Sequence, residues 1–403
     1  MSRLSFMEKL LDGVEVEWKV LGDSDFIEVA NSGRKPVKAS LREAGSTPYY
    51  GANNIQDYVD GFTHDGEYVL IAEDGSASLE SYSIQYTSGK FWANNHVHVI
   101  RGKSGLNTRF LYHYLCIVNF IPFLTGGGRA KLTKGKMIEI QIPIPCPDNP
   151  KKSLEIQAEI VRILDTFTEL TAELTAELTV RKKQYNYYRD KLLTFEEGEV
   201  EWKTLGEVAI EFGRGKSRHR PRNDPRLYGG DIPFIQTGDI RNASHVITEY
   251  TQTYTAFGLT QSKLWPKGTL CITIAANIAE TTILGFDSCF PDSVIGFVAN
   301  PEVTNSTYVE YLLSSLKNKL KSQSTGSAQD NINMGTFESM YLPFPPLVEQ
   351  NRIVALLDKF ETLTNSITEG LPREIELRQK QYEYYRDLLL SFPKLVEPET
   401  VNA

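Results

Sequence analysis

The sequence carries a dense run of cationic side chains, GRGKSRHRPRNDPR, at residues 213–226. Six arginines and lysines stand there against the single carboxylate of Asp224, and the glycines and prolines favour a mobile loop. Such a loop suits contacts to phosphate groups and to the edge of guanine, which arginine binds with two hydrogen bonds. The alternative is a solvated loop without a ligand, because runs rich in lysine and arginine are common. The candidate nucleic-acid contacts of this run are Arg214, Lys216, Arg218, Arg220 and Arg222.

Polar side chains beside other predicted strands and loops extend this hypothesis along the chain. Amide and carboxylate groups can form hydrogen bonds with the exposed edges of bases. In the second half of the chain, after a predicted strand or after Gly326, the candidates are Gln236, Thr237, Asp239, Arg241, Gln329 and Asn331. In the first half the candidates are Tyr49, Tyr50, Asn53, Asn54, Arg129 and Lys131.

Motifs for catalysis or metal binding give no supported candidate. The sequence has no G-x-x-x-x-G-K-[ST] loop, no H-E-x-x-H helix and no Asp/Asn-Pro-Pro-aromatic tetrapeptide of amino-methyltransferases. Two E-W-K triplets, at 17–19 and 201–203, have the spacing of nuclease carboxylates without a partner aspartate, so we interpret each as a strand start with a packed tryptophan. His96 and His98 could ligate a metal from one strand face, yet no third ligand is nearby. The sequence therefore predicts neither a catalytic residue nor a metal site.

Composition is that of an ordinary globular protein with an acidic balance. The 403 residues include 43 lysines and arginines against 51 aspartates and glutamates, a net charge of −8. This total argues only weakly against a nucleic-acid binder, because a ligand responds to the local field. The four cysteines form no C-x-x-C pair and are expected to be reduced, structural thiols. We find no signal peptide and no apolar run of 18 residues, so we expect a cytoplasmic protein without a membrane partner.

Two long repeats are the elements that must position these side chains. Residues 157–195 match residues 350–392 at an offset of 193 near the start (350 − 157) and 197 near the end (378 − 181), so the second copy has four extra residues. Apolar residues recur in steps of three and four, which predicts two long helices that form a coiled coil. Gly370 and Pro372 lie at the insertion, where we expect a kink. The predicted interface residues are Leu164, Phe167, Leu174, Leu178, Tyr185, Tyr188, Leu357, Phe360, Tyr382 and Tyr385.

The borders of the repeats define a cyclic arrangement of two domains. The words K-L-L and E-V-E-W-K-x-L-G near the N-terminus return at residues 191–206, so the first residues complete a repeat whose body lies at the C-terminus. In such a ring the second helix leads back toward the first domain, which predicts antiparallel helices within an α+β fold. The predicted segments are an N-terminal border (1–19), a first domain (20–153), a first helix (154–195), a second domain (196–346), a second helix (347–392) and a tail (393–403).

Within the two domains the local patterns predict short strands and single helices. The two proline-containing exit segments share their spacing, whereas the sequences between the borders share little. We predict strands at 68–77, 96–102, 232–240, 268–275 and 293–300, helices at 108–121 and 305–320, and extended exits at 142–145 and 342–345.

Over nearly its whole length the chain resembles the specificity subunit of type I restriction-modification systems. The resemblance lies in the paired helical repeats, the E-V-E-W-K-x-L-G borders, the exit segments and the tandem T-A-E-L at 171–178. The segments GGDIPFIQTGDI at 229–240 and PYYGANNIQDYVDG at 48–61 are similar to parts of target recognition domains. The tandem and the wording of the helices resemble the IC branch of the family.

The resemblance implies a function that spacing alone does not give. It implies two pseudo-repeated α/β target recognition domains held apart on an antiparallel coiled coil, each reading one half of an asymmetric, interrupted site in double-stranded DNA. It implies that the helices set the unread spacer and dock two modification subunits, which methylate adenine with S-adenosylmethionine. Restriction subunits that use ATP and Mg²⁺ join this core, and the specificity subunit itself is expected to hold no cofactor and to catalyse nothing.

Two other classes of function remain open on the sequence alone. A single-chain methyltransferase would need a cofactor loop and an acceptor tetrapeptide, and neither is found. A structural scaffold without DNA contact would give weak DNA binding that salt does not change. The DNA target sequence does not follow from the amino-acid sequence, because recognition loops follow no residue-to-base code.

Overall fold

The computed structural model describes residues 15–126, 130–274, 279–324, 334–366 and 368–393. The chain divides into two compact units. The first contains residues 1–174 and 374–403, and the second contains residues 175–373. Each unit therefore combines one of the predicted domains with parts of both helical repeats.

The first domain is built from two four-stranded sheets and one two-stranded sheet. Its sheets have the orders β2-β9-β6-β7, β4-β3-β8-β5 and β1-β10. All five residues of β6 are buried, as expected for a strand in the middle of the core. The strands are β1 (Val16–Val20), β2 (Ile27–Val29), β3 (Ala44–Tyr50), β4 (Ile55–Val59), β5 (His64–Asp65), β6 (Tyr68–Ala72), β7 (Ile84–Thr87), β8 (Lys90–Ala93), β9 (Val97–Gly102) and β10 (Gln141–Pro145).

Two helices complete this domain, α1 (Thr108–Leu115) and α2 (Lys134–Met137). The Asn107 side chain caps α1 by accepting hydrogen bonds from the backbone N–H groups of Arg109 and Phe110. The helix predicted at 108–121 is thus present but ends six residues early. The N–H groups of Ile117 and Val118 donate to the carbonyl oxygens of Tyr114 and Leu115, three residues back, so the chain leaves the α-helix in a tighter turn.

The second domain has a five-stranded sheet of order β12-β18-β16-β17-β14 and the two-stranded sheets β11-β19 and β13-β15. Strands β16 and β18 lie within the segments predicted to be extended, and helix α6 begins within one residue of its predicted start. The elements are β11 (Glu201–Thr204), β12 (Ala209–Arg214), β13 (Tyr228–Pro233), α4 (Thr237–Asn242), β14 (Val246–Ile247), β15 (Thr253–Tyr254), α5 (Ala256–Thr260), β16 (Leu270–Thr273), β17 (Thr281–Leu284), β18 (Val294–Ala299), α6 (Ser306–Ser324), α7 (Met334–Glu338) and β19 (Tyr341–Phe344).

Of the strand predicted at 232–240, only the first two residues belong to a strand, and the last four belong to a helix. Strand β13 ends at Pro233, and α4 begins at Thr237. The Asp239 carboxylate accepts a hydrogen bond from the backbone N–H of Gln236, 2.8 Å away. A carboxylate in this position stabilises the first turn of a helix, and it offsets the strand preference of the preceding apolar residues.

The E-W-K triplets form border strands, as predicted. Strand β1 pairs antiparallel with the exit strand β10, and β11 pairs antiparallel with the exit strand β19. Trp18 packs edge-on against Tyr114, and its indole N–H donates to the Pro393 carbonyl oxygen at 3.1 Å. Trp202 remains 42% exposed, so the prediction of a packed tryptophan is wrong for the second copy.

The first helical repeat is a single helix, α3 (Pro150–Leu192), whereas the second is broken into α8 (Leu347–Asn365) and α9 (Gly370–Leu390). The expected kink is therefore a break in the helix between Asn365 and Gly370, at the place where the second repeat has its four extra residues. Gly370 has φ +75°, and a Cβ atom there would lie 2.3 Å from the Thr362 carbonyl oxygen. Only glycine fits without strain at the start of α9.

The helical segments pair within each unit. In the first unit the rings of Phe167 on α3 and Tyr385 on α9 stack at 5.2 Å. In the second unit Phe360 on α8 lies 6.4 Å from the ring of Tyr185 and stacks on Tyr188 at 5.8 Å. Each of these ring contacts joins the first helical repeat to the second within one unit.

Candidate nucleic-acid interface

The basic run of the second domain forms the connection between β12 and β13. Its six arginines and lysines are all exposed. The N–H group of Gly215 donates to the Val294 carbonyl oxygen at 2.9 Å. A Cβ atom on Gly215 would lie 2.1 Å from the Phe290 carbonyl oxygen, so the loop starts at a point where only glycine fits.

Hydrogen bonds along the loop fix its course. The Asp224 carboxylate accepts from Arg226 at 2.7 Å and lies 2.8 Å from the imidazole Nε2 of His219. The Arg226 side chain, together with its backbone N–H and His219, holds the pKa of Asp224 well below its usual value. The hydroxyl groups of Tyr228 and Ser262 donate to the carbonyl oxygens of Arg222 and Lys216. The predicted mobility of this loop is therefore not supported, because the loop has a defined set of internal bonds.

The cations of the loop differ in their partners. Arg222 is paired with Asp292 at 3.1 Å, and the Arg220 guanidinium donates to two backbone carbonyl oxygens. Within the described part of the chain, no carboxylate pairs with the side chains of three others, which are Arg214, Lys216 and Arg218. An ordered loop that presents unpaired cations is suited to bind phosphates without first losing internal ion pairs.

Two of the other candidates in the second domain have structural roles. The Gln236 amide donates to the side chain of Gln252 at 2.6 Å. Asp239 caps α4 and accepts a hydrogen bond from the Thr251 hydroxyl at 2.9 Å. On the same helix Thr237 is half-buried and Arg241 is exposed. Gln329 and Asn331 lie outside the described residues.

Two of the six first-domain candidates are buried, and a third is hydrogen-bonded within the domain. Tyr49 is 1% exposed, and Tyr50 packs edge-on against Phe91 in the core, so neither side chain reaches a base. Asn53 donates to the Gly75 carbonyl oxygen and accepts from Ser83 at 2.6 Å, which uses its amide within the domain.

The remaining three candidates of this domain have different surroundings. Asn54 is exposed. The Lys131 ammonium group pairs with Glu73 at 3.0 Å. Arg129 lies outside the described residues. Tyr49 and Tyr50 are neighbours on β3 and therefore lie on opposite faces of its sheet, and both faces are covered at this point.

A repeated glutamine, absent from the sequence prediction, docks each domain on its own helix. In the first unit the buried Gln157 amide accepts from the N–H of Asn107 at 2.8 Å and donates to the Gly105 carbonyl oxygen at 2.9 Å. In the second unit Gln350 accepts from the Thr304 hydroxyl at 2.8 Å and donates to the Val303 carbonyl oxygen at 2.9 Å. The sequence signal for this anchor is a glutamine at the same position of both helical repeats.

A repeated aspartate, eight residues further along each helix, adds a second anchor. Asp165 accepts from Arg109 at 2.9 Å and lies 2.8 Å from the imidazole Nε2 of His113, and both partners belong to α1. Burial lowers the pKa of His113, although the Asp165 carboxylate opposes this shift. Asp358 accepts a hydrogen bond from the Tyr311 hydroxyl of α6 at 2.7 Å. The same helix position thus binds different side chains in the two domains.

Replacing Gln157 with alanine should lower the free energy of unfolding by about 2 kcal/mol, because it leaves a buried N–H and a buried carbonyl group without partners. Gln350→Ala should do the same in the second unit. The matched control is Gln184→Ala, whose side chain is half-buried and binds Arg181 at 2.9 Å. Urea unfolding followed by tryptophan fluorescence measures the free energy of unfolding of all three variants. If that free energy falls by the same small amount in each, the two glutamines do not anchor the domains.

Neither a metal centre nor a membrane span was found among the described residues. No group of three or more histidine, cysteine, aspartate or glutamate side chains is arranged to hold a metal ion there. His96 lies 2.6 Å from Asp74, while His98 contacts the Asn31 amide and the Leu132 carbonyl oxygen. Both ring nitrogens of His98 and Nδ1 of His96 therefore have protein partners. In the same part of the chain no helix has the length and apolar character to cross a membrane.

Comparison with known proteins places both domains in one family. A family model described as "Type I restriction modification DNA specificity domain" matches residues 15–180 and again 197–377. A provisionally named type I restriction enzyme specificity subunit of Haemophilus influenzae is 48% identical over 96% of this chain and 98% of its own length. The EcoR124I/EcoR124II specificity subunit of Escherichia coli is 37% identical over 100% of both chains.

Solved structures agree in fold at much lower identity. The S subunit of a type I restriction-modification system from M. genitalium superimposes with a TM-score of 0.59, at 15% identity, over 96% of this chain and 98% of that chain. An S subunit from Thermoanaerobacter tengcongensis gives a TM-score of 0.51 at 17% identity, over 93% and 95% of the two chains. At such identities the likeness establishes a common α+β fold.

Proposed function

This chain belongs to the type I restriction-modification DNA specificity family as a specificity subunit with two target recognition domains, and from that premise we propose how its parts divide the task. Each domain binds one half of an interrupted, asymmetric site in double-stranded DNA. The observation that supports this most directly is the ordered loop of the second domain, with the unpaired cations Arg214, Lys216 and Arg218 at the surface. The family role is recognition of DNA and not catalysis.

The helices α3, α8 and α9 fix the unread spacer and dock two modification subunits. Two exposed tyrosine pairs support the docking, because the same Y-x-Y-Y-R-D words end both repeats. Tyr187 and Tyr384 are 61% and 64% exposed. Their neighbours Tyr188 and Tyr385 stack on a phenylalanine of the paired helix. Two equivalent surfaces on one chain suit two copies of one partner.

The chemistry is supplied by the partners. The modification subunits bind S-adenosylmethionine and methylate adenine, and restriction subunits use ATP and Mg²⁺. This chain holds no cofactor and acts in the cytoplasm as part of that complex. Its place in the IC branch stays a prediction that rests on the T-A-E-L tandem.

Methyl transfer tests this assignment. The purified chain alone should methylate no DNA, and the modification subunits alone should show no preferred site. Together they should methylate adenines in one bipartite sequence, which sequencing of the modified bases identifies. Transfer by the isolated chain, or an identical methylation pattern without it, would contradict the proposal.

A further inference from the structure

Tyr49 and Tyr50 are buried and Asn53 is bonded within the domain, so we looked for a different DNA-contacting surface in the first domain from the topology that the two domains share. In each domain the second strand pairs antiparallel with the strand that precedes the main helix, β2 with β9 and β12 with β18. In the second domain the connection after β12 is the basic loop. The equivalent connection in the first domain, residues 30–43, contains two arginines and two lysines against one glutamate.

The connection at 30–43 lies against the outer face of the sheet β4-β3-β8-β5. The Trp92 indole N–H donates to the Lys35 carbonyl oxygen at 2.7 Å, and the Lys35 N–H donates to the Ala93 carbonyl oxygen at 3.0 Å. The hydroxyl of Tyr49 accepts from the Val37 N–H at 3.0 Å. Tyr49 therefore supports this segment from beneath, which accounts for its burial. Like the basic loop of the second domain, the segment has a course fixed by hydrogen bonds.

The arginines of this segment serve the domain itself. Arg34 pairs with Glu73 at 2.6 Å, and Arg42 pairs with Asp57 at 3.2 Å while its guanidinium stacks 4.1 Å from the Tyr49 ring. Their charges are neutralised by these carboxylates.

The lysines are different. Lys35 and Lys38 are exposed, and on the neighbouring strand β8 so is Lys90, whose ammonium group lies 4.6 Å from the half-exposed ring of Phe62. None of the three has a carboxylate partner among the described residues. Lys90 and Trp92 alternate with the buried Phe91 and so lie on the same face of β8.

We propose that Lys35, Lys38 and Lys90 form the phosphate-binding surface of the first target recognition domain, here called the lysine face. This inference rests on the proposed function and assigns its first half-site to specific residues. The lysine face is the counterpart of Arg214, Lys216 and Arg218. Lys35 and Lys38 follow the equivalent strand β2, and Lys90 of β8 adds a third cation without a carboxylate partner among the described residues.

The test uses the full chain assembled with its modification subunits, on DNA containing the mapped target. The triple variant Lys35→Ala, Lys38→Ala, Lys90→Ala should reduce the slope of log affinity against log salt by about three units, since each lost phosphate contact removes about 0.9. The matched control, Lys103→Ala, Lys134→Ala, Lys151→Ala, removes three exposed lysines of the same unit that also lack carboxylate partners among the described residues. The control should keep the slope of the unmodified complex.

The outcomes distinguish a failure of the lysine face from a failure of the proposed function. If the unmodified complex shows no bipartite methylation site, the proposed function itself is wrong. If it does, and the lysine-face variant melts normally but keeps its salt slope, or if the control loses as much as the variant, the lysine face is wrong and the function stands. Support also requires a change in base discrimination. In the lysine-face variant, base changes in one half-site alone should reduce the binding affinity less than they do in the unmodified complex, because a more weakly bound domain discriminates its bases poorly.

Discussion

Inserting a third Thr-Ala-Glu-Leu unit after Leu178 should lengthen the unread spacer of the DNA target by one base pair and leave both half-sites unchanged. The two existing units, 171–174 and 175–178, lie in the uninterrupted helix α3, and the boundary between the two compact units falls between them. Of their eight residues only Thr171, Leu174 and Leu178 are half-buried, and the rest are exposed. The helix can therefore take a further unit without losing its apolar seam.

The geometry of helix and DNA gives the size of the change. Four residues add about 6 Å to the helix and rotate all later residues by about 40° beyond a full turn. One base pair advances about 3.4 Å and, at 10–10.5 pairs per turn, rotates by about 35°. The rotation matches one base pair, whereas the translation alone would allow one or two. Facing the groove is the stricter requirement, because a misrotated domain loses its base edges altogether.

Mapping of methylated adenines measures the spacer of the insertion variant. Two controls sharpen the result. Inserting the same four residues at Gly198, in the connection between α3 and β11, does not lengthen α3 and should leave the spacer unchanged. Inserting one alanine after Leu178 rotates all later residues of the helix by about 100° and should abolish methylation. An unchanged spacer in the first variant, or altered half-sites, would show that α3 does not set the distance.

Replacing Arg218, Arg220 and Arg222 with alanine should flatten the salt dependence of DNA binding by up to about three units of log–log slope, with a large loss of affinity at moderate salt. The structure divides this effect among the three residues. Arg218 has no carboxylate partner among the described residues, while Arg222 is bound to Asp292. Arg218→Ala alone should therefore lower the slope by about one unit, and Arg222→Ala by clearly less, because Asp292 already neutralises that charge.

Equilibrium binding of the assembled complex between low and moderate salt distinguishes these cases. Arg222→Ala is the matched control for Arg218→Ala, since both remove one exposed arginine from the same loop. Equal changes of the salt slope for the two single variants, or no change in the triple variant, would show that the loop is solvated and binds no phosphate. A melting curve for each variant separates lost DNA contact from lost folding.

The sequence by itself determined the features that depend on neighbouring residues. The periodicity of apolar residues gave α3 and the start of α8, and the repeated borders gave the strands β1 and β11 with their exits β10 and β19. These predictions succeeded because a helix or a strand buries one face in a repeat of fixed period. The family followed from the same repeated words, because they mark both ends of each domain.

Only the tertiary structure decided which charges are free and which aromatic residues are buried. Arg218 and Arg222 are alike in sequence, but Asp292, 70 residues away from Arg222, neutralises one of them. Tyr49 resembles a base-contacting residue until the sheet places it beneath the segment at 30–43. Trp18 and Trp202 share a motif, yet only Trp18 meets the backbone of Pro393, which the chain brings back from its far end. Such contacts join distant parts of the chain, so no local pattern specifies them.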